Sequence, residues 1–139
     1  MNNNIEKIIK LHIQQIGNIE NSKILEFKEG YAKLELIPTE KSLNLYGNLH
    51  GGILFSLSDI AAAISCVSYN ITCVTLSSSI NYIKGSSLDT IIVESKVIHK
   101  GKTTLICNVT IKNSKEQLLS QATFTMFNTG SIDNFIAIN

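Results

Sequence analysis

A chain of 139 residues, 44% hydrophobic and 17% charged, has the make-up of one globular domain, large enough to bury a sizeable core and too short for two. Its formal net charge is +1 with the basic residues scattered, so it lacks the basic patch that nucleic acid demands. Aromatic residues make up 6% and tryptophan is absent, which also argues against a stacking platform for bases.

From Ile5 to Ile16, the residues Ile5, Ile8, Ile9, Ile13 and Ile16 recur at helical spacing and predict a short amphipathic helix that Gly17 and Asn18 end. This helix and its lead-in occupy roughly residues 1–20 of a single 1–139 domain. The runs Ser22 to Glu29 and Tyr31 to Ile37 alternate as strands, with Glu29-Gly30 between them as a hairpin turn and Pro38 as the stop. A loop from Thr39 to Leu49 leads into a helix from Gly51 or Gly52 to about Val67. Four runs rich in Val, Ile, Thr and Phe follow: Val74 to Ile83, Thr90 to His99, Thr103 to Lys112 and Leu118 to Asn128. Gly85-Ser86-Ser87, Lys100-Gly101-Lys102 and Asn113-Ser114-Lys115-Glu116 separate them and read as hairpin connections. The order predicts an α+β domain with one antiparallel sheet of five to six strands wrapped around one central helix.

Little suggests an exported or membrane protein. The cysteines Cys66, Cys73 and Cys107 are odd in number, lie in apolar segments and follow no C-x-x-C or Cys/His spacing. His12, His99 and these cysteines make no metal constellation, so no metal is expected. The opening residues, Met1 to Lys7, lack the apolar segment and cleavage site of a secretory signal. The greasiest stretch, Ile53 to Val67, is short and carries Asp59, so it reads as a buried helix rather than a membrane span. A cytoplasmic location is the expectation.

The chemistry concentrates around the central helix. Gly51 and Gly52 at its start leave backbone N–H groups able to receive a negatively charged oxygen. Asp59, in the middle of an otherwise greasy helix, is costly to keep there without a task. Ser56, Asp59 and Ala63 share one face and form the only strip left over from the apolar surface. An oxyanion site beside a carboxylate points to acyl transfer. The plainer alternatives are glycines that permit a tight turn and an acid paired with a cation at an interface. No lysine or arginine occurs from Gly51 to Asn70 to supply that cation within the helix.

These residues resemble the signature of hotdog-fold acyl-CoA thioesterases of the phenylacetate-pathway (PaaI-like) type. The matching elements are Asn44, then Gly47-Asn48-Leu49-His50-Gly51-Gly52, then Asp59. Ser78-Ser79-Ile80-Asn81-Tyr82 and Val97-Ile98-His99-Lys100-Gly101-Lys102 are similar too, and the resemblance runs from about Leu25 to Phe127. It implies dimers whose sheets join edge to edge, often paired into tetramers, with active sites at the dimer interface. An independent estimate agrees, because His50 and Asp59 lie roughly 13 Å apart along one helix at 1.5 Å rise per residue. If both act on one carbonyl, Asp59 must come from the partner chain.

By resemblance, the substrate is an acyl-CoA and no cofactor is needed beyond the coenzyme A it carries. Asp59 attacks the thioester directly or acts as general base on water; the sequence does not choose. His50 hydrogen-bonds the substrate carbonyl or orients Asn44, or else merely caps the helix. Asn44 lies near the attacking water or is a turn-forming loop residue. Some members place a Ser or Thr on the strand after the helix to assist the water, and Thr75 is the match here, with Ser77 the alternative. Lys100 and Lys102 could meet the phosphates of coenzyme A as point charges, or be a solvated hairpin tip. The family often has a Thr where Asn48 stands, and a Pro where this chain has Lys84-Gly85-Ser86, which bears on the shape of the acyl pocket. The competing reading is a non-catalytic acyl-CoA-binding sensor module of the same fold. Such modules usually lack the helix acid and carry a DNA-binding segment. A hotdog dehydratase or hydratase and a purely structural dimer are less consistent with the motif.

Overall fold

A helix that is apolar on nearly every side cannot face water, and the rest of this chain is arranged to cover it. In the computed structural model, which describes residues 2–14 and 19–139, helix α2 (Gly51–Val67) buries Leu54, Leu57, Ile60, Ala61, Ile64 and Val67. Six antiparallel strands curl around it: β1 (Lys23–Lys28), β2 (Tyr31–Leu36), β3 (Ile71–Tyr82), β4 (Ile91–Lys100), β5 (Thr104–Asn113) and β6 (Leu118–Ser131). Alternation along β5 sends Leu105, Cys107, Val109 and Ile111 inward toward α2. Phe124 of β6 is fully buried, its ring 5.5 Å from that of Phe55 on the helix. Cys66 and Cys107 bring their sulfurs to 3.6 Å within this core, and all three cysteines are free thiols.

The strand order is β1-β2-β4-β5-β6-β3. Hairpins form at Glu29-Gly30, at Lys100 to Lys102 and at Asn113 to Glu116, as the turn residues predict. The connection through Gly85-Ser86-Ser87 is not a hairpin, and that expectation is corrected. Strand β3 pairs with β6 along Ile71↔Ser131 to Tyr82↔Ser120, while β4 lies beside β2. Turn residues say that the chain changes direction but not which strand it then meets. Here the segment after β3 crosses the mouth of α2 instead, and the Leu49 N–H donates to the Ser86 carbonyl at 2.7 Å.

Two helices flank this unit. Helix α1 (Asn3–Gln14) buries Ile8, Ile9 and Ile13 and packs on α2; its expected end at Ile16, Gly17 and Asn18 lies outside the described residues. Ala63 is buried too, so the expected open strip Ser56-Asp59-Ala63 shortens to Ser56 and Asp59. Helix α3 (Ile132–Ile138) is absent from the sequence reading, which ends at Asn128. Its start is marked by Ser131, whose hydroxyl accepts from the Asn134 N–H at 3.1 Å. No helix among the described residues is long and apolar enough to cross a membrane.

The two sheet edges differ sharply. Strand β1 carries Lys23, Glu26 and Lys28 and a bulge between Ile24 and Glu26, the usual guards of a free edge. Strand β3 runs twelve residues without a charge, and Val74 to Ser79 are exposed on both faces. Such an edge invites a further strand.

The β1–β2 turn supplies a stability prediction. Gly30 has φ +69°, and a Cβ there would meet the Tyr69 hydroxyl at 2.6 Å. Gly30→Ala is expected to destabilise the fold by about 1–2 kcal/mol from the left-handed backbone alone, with the tyrosine displaced in addition. Urea unfolding of the variant measures it.

Candidate active site

The loop before α2 is fastened from several sides. The Asn44 side-chain oxygen accepts from the Tyr46 N–H at 2.9 Å and the Asn48 N–H at 3.1 Å, an Asx-type turn. The His50 N–H donates to the Ser42 carbonyl at 2.8 Å. His50 itself takes an extended backbone (φ −63°, ψ 132°) and is the N-cap of α2: its Nδ1 accepts from the Gly52 N–H at 3.1 Å. An imidazole that accepts at Nδ1 carries its proton on Nε2 when neutral, and Nε2–H is then a donor directed away from the cap. The Gly52 N–H is thus occupied by the cap. The Gly51 N–H has no acceptor among the described residues, as expected for the first turn of a helix. At this helix start Gly51 N–H and, in the neutral ring, His50 Nε2–H are thus the donors without an acceptor among the described residues, whereas Gly52 N–H is taken.

Tyr82 completes this end. Its hydroxyl donates to the Gly51 carbonyl at 3.0 Å, and its ring lies so close that a Cβ on Gly51 would meet it at 3.3 Å. A cavity of about 290 Å³ opens here, lined among others by Asn44, Asn48, Gly51, Tyr82 and Lys84. Tyr82, the last residue of the Ser78–Tyr82 segment, and Lys84 thus line the same cavity as Asn44 and Gly51, though the sequence reading names neither as a candidate site residue. The sequence signal for them is Tyr82 closing the Ser78–Tyr82 segment and Lys84 opening the segment that departs from the expected proline.

Asp59 stands in mid-helix, half-buried, and accepts a short hydrogen bond at Oδ1 from the Thr75 hydroxyl of β3. Thr75, rather than Ser77, is the strand residue that meets the acid. His12 of α1 lies close enough to feel the Asp59 charge. Burial pushes its imidazole below the usual histidine range, and the carboxylate pulls partly back.

The site residues thus fall into two groups: Asn44, His50, Gly51 and Gly52 at the helix start, and Asp59 with Thr75 about 13 Å along it. Lys100 and Lys102 join neither. Lys100 lies over the ring of Tyr69, just past the far end of α2, at 5.2 Å from its centroid, and Lys102 is exposed on the β4–β5 turn.

Residues 46–120 match the family model described as the thioesterase superfamily, a span that includes His50, Asp59 and Thr75. The chain belongs to the thioesterase superfamily. Among its relatives, the acyl-coenzyme A thioesterase PaaI of Escherichia coli K12 is 32% identical over 98 residues, 70% of each chain. A hypothetical thioesterase of Streptococcus pneumoniae TIGR4, solved with coenzyme A, superposes with a TM-score of 0.84 at 36% identity, covering 90% of this chain and 97% of that one. That protein has also been crystallised with alanine replacing an aspartate and, separately, replacing a threonine sixteen positions further on. The crystal structure of E. coli PaaI superposes with a TM-score of 0.83 over 92% of this chain and 95% of that one, at 24% identity. This thioesterase-superfamily chain is therefore PaaI-like, and its curled sheet and central helix are the hotdog fold.

Proposed function

We propose that this protein hydrolyses acyl-CoA thioesters at sites shared between two subunits. Asp59 and Thr75 come from one chain, while His50 and Gly51 come from the partner subunit. The observation that carries the reading is the Thr75–Asp59 hydrogen bond. It commits a half-buried carboxylate to a place beside an unguarded sheet edge, about 13 Å from its own helix start and so too far to share a carbonyl with it. Pairing β3 of one chain with β3 of another would join two sheets edge to edge and cover the uncharged strand. The spacing of Asp59 and Thr75 equals that of the aspartate and threonine replaced in the pneumococcal protein. The coenzyme A bound to that neighbour supports CoA as the carrier here.

In the proposed reaction Thr75 holds one carboxylate oxygen of Asp59 and offers its own lone pairs to a water. The other carboxylate oxygen takes a proton from that water. The hydroxide adds to the thioester carbon while the carbonyl oxygen becomes an oxyanion, received by Gly51 N–H and His50 Nε2–H of the partner subunit at a helix N-terminus. Collapse breaks the carbon–sulfur bond, and the departing thiolate of coenzyme A takes up the proton that Asp59 holds. Asn44 keeps the loop carrying His50 in shape through its two accepted hydrogen bonds.

Release of free thiol from a panel of acyl-CoAs tests this directly. Turnover of at least one member, with CoA and free acid formed in equal amounts, is the expected result. Tight acyl-CoA binding with no thiol released from any member would replace the enzyme reading with the sensor reading.

A further inference from the structure

A second cavity, of about 230 Å³, lies between α1, the start of β3 and α3, lined chiefly by Ile8, Leu11, His12, Cys73, Val74 and Phe135. We propose that this cavity is the acyl-chain subsite, that it takes a straight apolar chain of medium length, and that it belongs to the same subunit as Asp59. The inference rests on the thioesterase reading for the identity of the head group, but its geometry is separate.

Three observations place the cavity in line with the reacting carbon. Cys73 and Thr75 are alternate residues of β3 with no bulge between them, so both side chains point to the same face. Thr75 holds Asp59, and Cys73 lines the cavity. His12, on the cavity's α1 wall, is near enough to sense the Asp59 charge. The elements around it are tied to one another: Asp133 of α3 accepts from Asn4 of α1 at 3.3 Å and from Asn70, which precedes β3, at 3.1 Å. Those bonds tie together the three elements that enclose the space.

Dimensions choose the ligand class. Cys73, the cavity residue on the same face of β3 as Thr75, lies two positions from it, so a chain must span about 7 Å, or roughly five carbon–carbon bonds, before it reaches Cys73. The cavity then exceeds the ~150 Å³ that suffices for a benzene-sized guest, leaving room for roughly five or six more methylenes. A chain of about eight to twelve carbons fits this total. An acetyl group, or an aryl group attached close to the carbonyl, stops short of the cavity.

The test compares acetyl-, phenylacetyl-, octanoyl- and decanoyl-CoA on the wild type and on Leu11→Trp and Leu11→Ala. Leu11 is 36% exposed at the cavity wall, so both changes reshape the space without opening the core. Binding of the same thioesters to Asp59→Ala proteins, with and without Leu11→Trp, is measured in parallel. In the wild type, affinity should rise about fourfold per methylene as the cavity fills. Leu11→Trp should lower the ratio of decanoyl to acetyl kcat/KM at least tenfold, and Leu11→Ala should move the optimum to a longer chain. A ratio unchanged within twofold in both variants, or a wild-type preference for phenylacetyl-CoA insensitive to Leu11, overturns the proposal. If the wild type releases no thiol from any substrate, the thioesterase reading fails, and the binding ratios on the Asp59→Ala proteins still decide the cavity.

Discussion

Asp59→Ala is expected to lower kcat by at least about a thousandfold, some 4 kcal/mol of barrier, because in the proposed mechanism it leaves the attacking water without its base. Acyl-CoA affinity should change little, since the acid works on the water and not on the acyl chain or the CoA moiety. Asp59→Asn sharpens the result. Its amide oxygen can still accept from Thr75, so the packing survives while the base is lost, and the rate should fall nearly as far. Single turnover in ¹⁸O-labelled water separates the two roles open to the carboxylate. Label in Asp59 marks direct attack through an anhydride opened at the aspartyl carbonyl, whereas label in the acid alone, with no anhydride trapped by hydroxylamine, marks a general base. An Asp59→Ala protein with wild-type kcat would end the mechanism altogether.

Mixing two inactive proteins should restore activity. Asp59→Ala removes the acid contributed by one subunit, and His50→Ala removes the donor contributed by the other. In a heterodimer of the two, one site carries both lesions and the other carries none. With subunits exchanged at random, half the dimers are mixed and each has one intact site of two, so about a quarter of wild-type activity should return. Each variant alone should stay near its own low baseline. Activity of the mixture equal to the average of the parents, after exchange has been verified by mass, would mean that each chain builds its site alone. That result would leave the His50–Asp59 separation along α2 without explanation.

The parts of this design readable from sequence are those fixed within a few residues. The helix Gly51–Val67 announces itself through glycine entry and an unbroken apolar run, and the Glu29-Gly30 turn needs only its two neighbours to reverse the chain. Cap chemistry was within reach as well, since His50 two residues ahead of Gly52 sits where an N-cap must be. Tertiary choices were not legible. Nothing local to Ile71–Tyr82 says that its partner is β6, because that register joins residues tens of positions apart. Thr75 and Ser77 are chemically interchangeable on paper, and the packing of β3 on α2 is what brings Thr75 to Asp59. Helix α3 is seven residues long, too short for periodicity to reveal without its serine cap. The proximity of His12 to Asp59 depends on how α1 is laid across α2, which no spacing within either helix encodes.

Because β3 pairs with β6, the residues up to Ser131 must be made before the sheet can close. A ribosome delivers residues at about 5–20 per second, so β3 emerges well ahead of β6, the strand that pairs with it among the described residues. During that interval the nascent chain carries a twelve-residue, uncharged segment with both of its edges open. Closure through such distant partners is slow compared with hairpin formation. Folding is therefore committed only once β6 has been made. A stop codon ahead of Leu118 leaves an adhesive, unpaired strand, not a smaller stable domain.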